Sequence, residues 1–189
     1  MASRSKERTN LILVGLMGCG KTTVGRLVAD RLGWEFIDTD RLIMEKTGTS
    51  IPALFAEKGE PFFRRLEKEV LLAIKDRERT VVATGGGIVL AAENRHLLQE
   101  MGLVIYLQTA PAVLATRVGR GEDRPLLAGG APVEVLTALL KEREAFYREA
   151  NLVVVTDGRT PSQVAEEIIR QAAGRQSGQC PPAGTDGRW

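Results

Sequence analysis

The chain contains little of what marks an extracellular or metal-binding protein. Its 189 residues include two cysteines and one histidine, and aromatic residues make up only 5% of the sequence. Cys19 and Cys180 lie far apart and neither has the spacing of metal ligands, so we expect no disulfide framework and no cysteine metal site. This cysteine usage favours a reducing compartment.

Long hydrophobic runs and a strong net charge are also missing. The segment Met1–Thr9 is polar, and no stretch approaches the roughly 20 apolar residues of a membrane-spanning helix. The formal net charge of +2 is too small to attract nucleic acid by bulk electrostatics. We therefore expect a cytoplasmic protein with no membrane or nucleic-acid partner.

The rest of the composition is that of an ordinary globular domain, with 43% hydrophobic and 26% charged residues. A chain of this length can form one α/β domain with a sizeable core but is short for two. We expect a single domain over residues 1–174. The remaining segment, 175–189, is rich in Gly, Pro, Gln and Ser and is predicted to be a disordered tail.

Short apolar runs alternate with amphipathic helical patterns along most of the chain. The runs that predict strands are Leu11–Val14, Trp34–Ile37, Val81–Thr84, Leu103–Leu107 and Leu152–Val155. This alternation predicts an α/β fold of three layers, in which helices cover both faces of a five-stranded parallel sheet. Ligands of such sheets bind at the carboxyl ends of the strands.

Several helix boundaries can be predicted from capping residues and breakers. A short helix should run from Arg41 to Thr47, and the next should begin at Ser50 and end near Lys58. Gly59–Pro61 should interrupt the chain before a further amphipathic helix. The last helix should end near Gly174.

A complete phosphate-binding loop follows the first predicted strand. Residues Gly15–Thr22 have the pattern G-x-x-x-x-G-K-T, and a helical pattern begins directly after it. In such a loop, backbone N–H groups and a helix N-terminus surround the β- and γ-phosphates of a nucleotide. Lys21 adds a positive charge and Thr22 offers a hydroxyl to Mg²⁺. The sequence therefore predicts binding of a nucleoside triphosphate.

Two further motifs follow strand ends, namely Asp38–Asp40 and Gly85–Gly87. Because strand ends of a parallel sheet meet at one edge, we expect both motifs to share a crevice with the phosphate-binding loop. Asp38 and Asp40 alternate on what is predicted to be an extended segment, so their side chains should point to different places. Asp40 also precedes a predicted helix, so an alternative is that it caps this helix and has no other role.

Taken together, these motifs resemble those of the shikimate kinase family. The likeness runs from about Asn10 to Ala173. It is carried by the phosphate-binding loop extended to Gly25, by Asp38–Asp40, Phe62–Glu67, Thr84–Gly87, Arg124–Leu127 and Arg143–Tyr147. The resemblance implies a P-loop kinase fold with a mobile lid at about 119–131. It also implies transfer of a phosphoryl group from ATP, with Mg²⁺, to the 3-hydroxyl of shikimate, a step of chorismate and aromatic amino acid biosynthesis. We expect a monomer.

The resemblance also implies roles for individual residues. Asp40 would contact the attacking hydroxyl, and Asp38 would reach Mg²⁺ through water. Arg64 and Arg143 would hold the substrate carboxylate, for which a planar guanidinium is suited. Gly86 and Gly87 would approach shikimate closely through their backbone. Phe55 and Phe63 could wall the pocket or belong to the core.

On the nucleotide side, the resemblance implies contacts from the loop residues Gly18, Cys19, Gly20, Lys21, Thr22 and Thr23. Arg124 would reach the phosphates from the lid and stabilise charge in the transition state, so that Asp40, Lys21 and Arg124 form the catalytic set. Arg117 and Arg159 would lie near the adenine. Arg120 and Arg65 are expected at the surface, and Arg65 could also join an ion pair.

Two alternatives stay open at this stage. Another small-molecule kinase of the same architecture, such as a gluconate-type or nucleoside monophosphate kinase, would carry the same phosphate-binding loop. A nucleotide-dependent switch is a different class, but no Asn-Lys-x-Asp motif that would read guanine is found in the sequence. Asp30–Gly33 has the Asp-x-x-Gly pattern, but Gly33 is better explained as a helix cap.

Overall fold

The computed structural model of the protein describes residues 10–118 and 131–177. The strands of this part are β1 (Asn10–Val14), β2 (Glu35–Asp38), β3 (Thr80–Ala83), β4 (Gly102–Gln108) and β5 (Leu152–Val155). They form one parallel sheet in the order β2-β3-β1-β4-β5. In register, Leu11 pairs with Val81 on one side and with Leu103 on the other. This sheet confirms the predicted fold class.

Helices connect successive strands and cover the sheet. They are α1 (Lys21–Leu32), α2 (Thr39–Thr47), α3 (Ile51–Ile74), α4 (Ala92–Met101), α5 (Pro111–Val118), α6 (Pro132–Tyr147) and α7 (Pro161–Ser177). A short 3₁₀ helix, Ile88–Leu90, follows β3. Every residue of β1 and β3 is buried. Because successive side chains of a strand point to opposite faces, both faces of the central sheet are covered.

Glycine ends two of the early helices as the sequence predicts. Gly33 after α1 and Gly48 after α2 have φ angles of 64° and 65°, in the left-handed region that glycine favours. Each donates its N–H to a carbonyl of the last helical turn. The hydroxyl of Ser50 accepts a hydrogen bond from the N–H of Ala53 at the start of α3, which confirms the predicted N-cap.

The helix α3 is bent where the sequence predicts a break. Gly59 has φ 76° and ψ 170°, which is not helical, and Pro61 follows it. The two halves of α3 pack on α2 around a small apolar cluster that is separate from the main core. The cluster contains Ile43, Leu54, Phe63, Leu66 and Val70.

Two helix boundaries differ from the prediction. The helix α2 begins at Thr39 rather than Arg41, because the Asp38 carboxylate accepts hydrogen bonds from the N–H groups of Asp40 and Arg41 and so caps the helix earlier. The helix α7 continues past Gly174 to Ser177, since a glycine inside a helix costs only about 1 kcal/mol relative to alanine. The predicted tail therefore begins within this helix.

Some predictions concern residues outside the described ranges. The segment 119–130, which contains nearly all of the predicted lid, and the segment 178–189 of the predicted tail are among them. Cys180 lies there too. In residues 10–118 and 131–177, no helix has the length and apolar character needed to cross a lipid bilayer.

Candidate active site

The phosphate-binding loop Gly15–Thr22 joins β1 to the N-terminus of α1. Gly15, Gly18 and Gly20 have φ angles of 143°, 81° and 99°, which residues with a Cβ rarely adopt. A Cβ on Gly18 would also stand 2.6 Å from the Val118 side chain at the end of α5. The glycines thus let the loop turn tightly around the start of α1, where unpaired N–H groups favour an anion.

Lys21, the first residue of α1, is nearly buried within the loop. Its ammonium donates hydrogen bonds to the carbonyl oxygens of Gly15 and Leu16 at 2.7 and 3.0 Å. The sulfur of Cys19, itself buried, lies 3.6 Å from the same nitrogen. The positive charge of Lys21 is therefore held at the centre of the loop, where it can interact with a phosphate.

Thr22 and Asp38 bring two oxygen ligands together between α1 and the end of β2. The Thr22 hydroxyl donates to Asp38 Oδ2 at 2.8 Å. Hydroxyl and carboxylate oxygens suit Mg²⁺, which proteins commonly hold by one or two such groups together with substrate phosphates. No group of three or more His, Cys, Asp or Glu residues able to hold a metal occurs in the described part of the chain. Thr22 and Asp38 therefore fit a Mg²⁺ ion shared with a nucleotide.

The sequence predicted that Asp38 and Asp40 lie on one extended segment, and this prediction is wrong. Asp38 is the last residue of β2 and caps α2, whereas Asp40 lies in the first turn of that helix. The capping role considered for Asp40 therefore belongs to Asp38. Both residues line the same cleft. Asp40 Oδ1 lies 2.6 Å from where a Cβ of Gly85 would be, so only glycine leaves room for this carboxylate.

Arg64 is clamped by two carboxylates on α3. Its guanidinium donates to Glu60 Oε1 at 2.6 and 3.0 Å and to Glu67 Oε2 at 2.7 Å. A Cβ on Gly87 would lie 2.4 Å from two of its nitrogens, so the guanidinium rests directly against the glycine backbone. Arg65 is exposed on another face of the helix, with its guanidinium 5.4 Å from the Phe62 ring, as the spacing predicts.

Glu67 is a buried carboxyl that the sequence analysis did not single out. It is 0% exposed, and its Oε1 atom has no hydrogen-bond partner within residues 10–118 and 131–177. Burial raises the pKa of Glu67 to about 7, Arg64 lowers it, and the nearby Asp40 raises it further. A carboxylate three residues after Arg64, among Phe63, Leu66 and Val70 on the core side of the helix, is the sequence signal that could have revealed it.

Arg143, on α6, also lines the cleft. Its side chain is only 4% exposed, yet its Nε atom forms no hydrogen bond to any described residue. The nearest carboxylate, Glu142, is 4.0 Å away. A buried guanidinium with an unused donor is costly unless a ligand pairs with it, so this position favours an anionic ligand.

The loop Gly85–Gly87 lies between the acidic side of the cleft and the phosphate-binding loop. The N–H of Gly85 donates to the Thr39 hydroxyl at 3.1 Å. A Cβ on Gly86 would meet Met17 N at 3.4 Å and Gly15 O at 3.5 Å. The two glycine-rich loops are therefore in contact through their backbones.

Most of these groups line one cleft of about 890 Å³. The structure brings the following sequence-predicted residues into its lining: Gly18, Cys19, Gly20, Lys21, Thr22, Thr23, Asp38, Asp40, Phe55, Phe63, Arg64, Gly86, Gly87, Arg117, Arg143 and Arg159. The expected convergence of the three strand-end motifs is thereby confirmed, while the role of each residue stays a prediction. Arg120 and Arg124 lie outside the described residues.

The cleft also contains residues that the sequence analysis missed, among them Arg26, Arg41, Thr156 and Glu67. Arg26 stands one turn after Thr22 on α1, with its guanidinium 4.9 Å from the Phe36 ring. The helical spacing from the phosphate-binding loop could have indicated it. The rings of Phe55 and Phe63 are tilted against each other with centroids 4.7 Å apart, and they belong both to the cleft wall and to the small apolar cluster.

Comparisons with known proteins find similarity over most of the chain. The profile of the family described as shikimate kinase matches residues 17–173. Shikimate kinases of Moorella thermoacetica and Methylococcus capsulatus are 45% and 47% identical, over 84% and 88% of this chain and 91% and 93% of theirs. A solved shikimate kinase of Acinetobacter baumannii, in complex with shikimate, has a TM-score of 0.86 and 41% identity, covering 89% of this chain and 94% of that one.

The buried carboxyl of Glu67 leads to a prediction about stability and pH. Because its pKa rises from 4.5 to about 7 on folding, the folded protein binds a proton in this range that the unfolded chain does not. The resulting stabilisation is complete below about pH 4.5 and is lost as the pH rises through about 7. The free energy of unfolding of the wild type should therefore fall, relative to that of Glu67→Gln, between pH 4.5 and pH 7 in urea titrations.

Glu57→Gln is the matched control, since Glu57 is an exposed glutamate on the same helix. Its stability should follow that of the wild type at every pH. If the pH profiles of the wild type and Glu67→Gln run parallel, Glu67 does not take up a proton on folding.

Proposed function

This chain belongs to the shikimate kinase family, and we propose that it transfers the γ-phosphoryl group of ATP to the 3-hydroxyl of shikimate. The products are shikimate 3-phosphate and ADP, in the pathway to chorismate and the aromatic amino acids. The observation that carries the proposal is the presence of two guanidinium groups, Arg64 and Arg143, in the lining of the same cleft as the phosphate-binding loop. A monomeric state and a cytoplasmic location stay predictions from the sequence.

ATP binds through the loop that begins at Gly15. The N–H groups of Gly18–Thr23 and the N-terminus of α1 receive its β- and γ-phosphates. The ammonium of Lys21 exchanges its two carbonyl acceptors for phosphate oxygens, which are stronger acceptors because they are charged. Arg117 and Arg159 also line the cleft, and we assign them to the adenine. Arg124 is assigned to the phosphates from the sequence motif alone.

Thr22 and Asp38 are the residues that would hold Mg²⁺, Thr22 directly and Asp38 through water. When bound, the ion neutralises charge on the phosphates. The 2.8 Å hydrogen bond between the two side chains keeps both oxygens at the edge of the phosphate-binding loop. The cap that Asp38 forms on α2 fixes the direction of its carboxylate, so one side chain organises both the helix and the ion site.

Shikimate binds on the other side of the cleft with its carboxylate toward Arg64 and Arg143. The buried Arg143 guanidinium has an unused N–H, and a substrate carboxylate would satisfy it. Arg64 is already oriented by Glu60 and Glu67, so little conformational entropy is lost on binding. The backbone of Gly86 and Gly87 lets the ring approach the phosphate-binding loop closely.

Asp40 acts on the hydroxyl that attacks. Its carboxylate orients the 3-hydroxyl and accepts its proton as the oxygen bonds to the γ-phosphorus and the bond from phosphorus to the bridging oxygen of ADP breaks. Lys21 and Arg124 stabilise the charge that spreads over the phosphoryl oxygens.

The direct test is a coupled assay of ADP formation by the wild-type protein with ATP and Mg²⁺. Shikimate should support turnover, whereas gluconate should not because it is an open chain without ring hydroxyls, and nucleoside monophosphates should not because they carry no carboxylate for the two arginines. Omission of Mg²⁺ should abolish turnover. Turnover with gluconate or a nucleoside monophosphate and none with shikimate would overturn the proposal.

Asp40→Asn should lower kcat for shikimate about 100-fold or more, because the amide cannot accept the proton. The shape of the side chain is kept, so the affinity for ATP, measured by nucleotide titration, should change little. An unchanged kcat would remove Asp40 from the mechanism.

Arg64→Ala should raise the KM for shikimate about 10- to 100-fold, the loss expected for a charged hydrogen-bonded contact. The KM for ATP should stay nearly constant. Arg65→Ala is the matched control, since Arg65 is the neighbouring arginine but is exposed on another face of α3. Equal effects of Arg64→Ala on both KM values would argue against a substrate role for Arg64.

A further inference from the structure

Two stacked tyrosines lie beneath the point where the two glycine-rich loops meet. The rings of Tyr106 on β4 and Tyr147 on α6 are 5.0 Å apart and nearly parallel, and both are fully buried. The Tyr106 ring also lies close to Gly15, at the start of the phosphate-binding loop. Tyr147 stands one turn after Arg143 on the same helix. From the core, the pair thus connects the phosphate-binding loop, through Tyr106, with the helix that carries Arg143, through Tyr147.

The hydroxyl of Tyr147 donates a hydrogen bond of 2.5 Å to the carbonyl oxygen of Gly86. A trans peptide unit is planar, so this carbonyl and the N–H of Gly87 point in opposite directions. Fixing the carbonyl toward the core therefore turns the Gly87 N–H away from Tyr147 and toward the cleft that Gly87 lines.

The Gly87 N–H has no hydrogen-bond partner among residues 10–118 and 131–177, although Gly87 itself is buried. A buried N–H is normally paired, so this donor is available to an acceptor atom in the cleft. The neighbouring peptides are held by hydrogen bonds from the N–H of Ile88 to Gly85 O and from the N–H of Leu90 to Gly87 O. For the peptide between Gly86 and Gly87, the Tyr147 hydroxyl is the only hydrogen-bond partner among the described residues.

We propose that Tyr147 is a positioning residue, which orients the Gly86–Gly87 peptide so that the Gly87 N–H donates a hydrogen bond to an oxygen of the acceptor substrate. This inference rests on the proposed function and adds a residue to its substrate site. Burial raises the pKa of the Tyr147 hydroxyl well above its usual value, against the effect of Arg143, so the group stays protonated and remains a donor.

Tyr147→Phe removes the single oxygen that holds the peptide and keeps the stacked ring. The KM for shikimate should rise about fivefold, the effect of one neutral hydrogen bond, while the KM for ATP stays within about twofold of the wild type. Incorporation of 4-aminophenylalanine at position 147 restores a donor and should bring the shikimate KM back toward the wild-type value. A purely structural role would instead move both KM values together.

Tyr106→Phe is the matched control, because it makes the same chemical change in the partner ring, whose hydroxyl has no hydrogen bond to any described residue. Both of its KM values should match the wild type. An unchanged shikimate KM in Tyr147→Phe, or an equal rise in both KM values, would overturn the inference.

A second measurement does not depend on how the variant folds. In the ¹⁵N-labelled wild type, the amide resonance of Gly87 should shift on addition of shikimate, and an unmoved resonance would also overturn the inference. Absence of shikimate-dependent turnover in the wild type would refute the proposed function itself. That outcome is seen before any variant is compared.

Discussion

A buried ion pair between Arg64 and Glu67 organises the substrate side of the cleft. Glu67 is fully buried, and removal of one member of such a pair typically costs about 3–5 kcal/mol because the other charge is left without compensation. Arg64 fills the space that a side chain at Gly87 would need, and Asp40 together with Glu67 fills the space at Gly85. The absence of side chains at Gly85 and Gly87 is therefore a steric requirement of the ion pair and Asp40, and it also exposes the backbone to a ligand.

Sheet order determines how the two halves of the cleft face each other. The strands β2, β3 and β1 are neighbours, and each is followed by one part of the cleft. Asp38 is the last residue of β2, Gly85–Gly87 comes just after β3, and the phosphate-binding loop follows β1. The glycine-rich loop thus stands between Asp40 and Glu67 on one side and the phosphate-binding loop on the other, whereas Asp38 contacts Thr22 directly. This spacing suits direct transfer between two bound molecules.

The sequence predicted the parts of the site that depend on strand ends and motif composition. It placed the phosphate-binding loop, Asp38–Asp40 and Gly85–Gly87 at one edge of a parallel sheet, and this is observed. It misjudged the start of α2, because capping by Asp38 depends on how β2 delivers its last side chain. It also missed Glu67, although its partner Arg64 lies one turn away and its place on the buried face of α3 is a local signal. The approach of Glu67 to Asp40 and Gly85 is a long-range contact, which local pattern does not give.

The bend in α3 at Gly59 has an electrostatic consequence. Because the helix restarts there, Glu60 occupies the first turn of a new helical segment, where unpaired N–H groups favour a negative charge. An unbroken helix would place Glu60 in mid-helix, with no such support. The bend therefore stabilises the Glu60 carboxylate, which forms an ion pair with Arg64. The bend at Gly59 thus helps to hold Arg64, one turn after Glu60, in a fixed orientation.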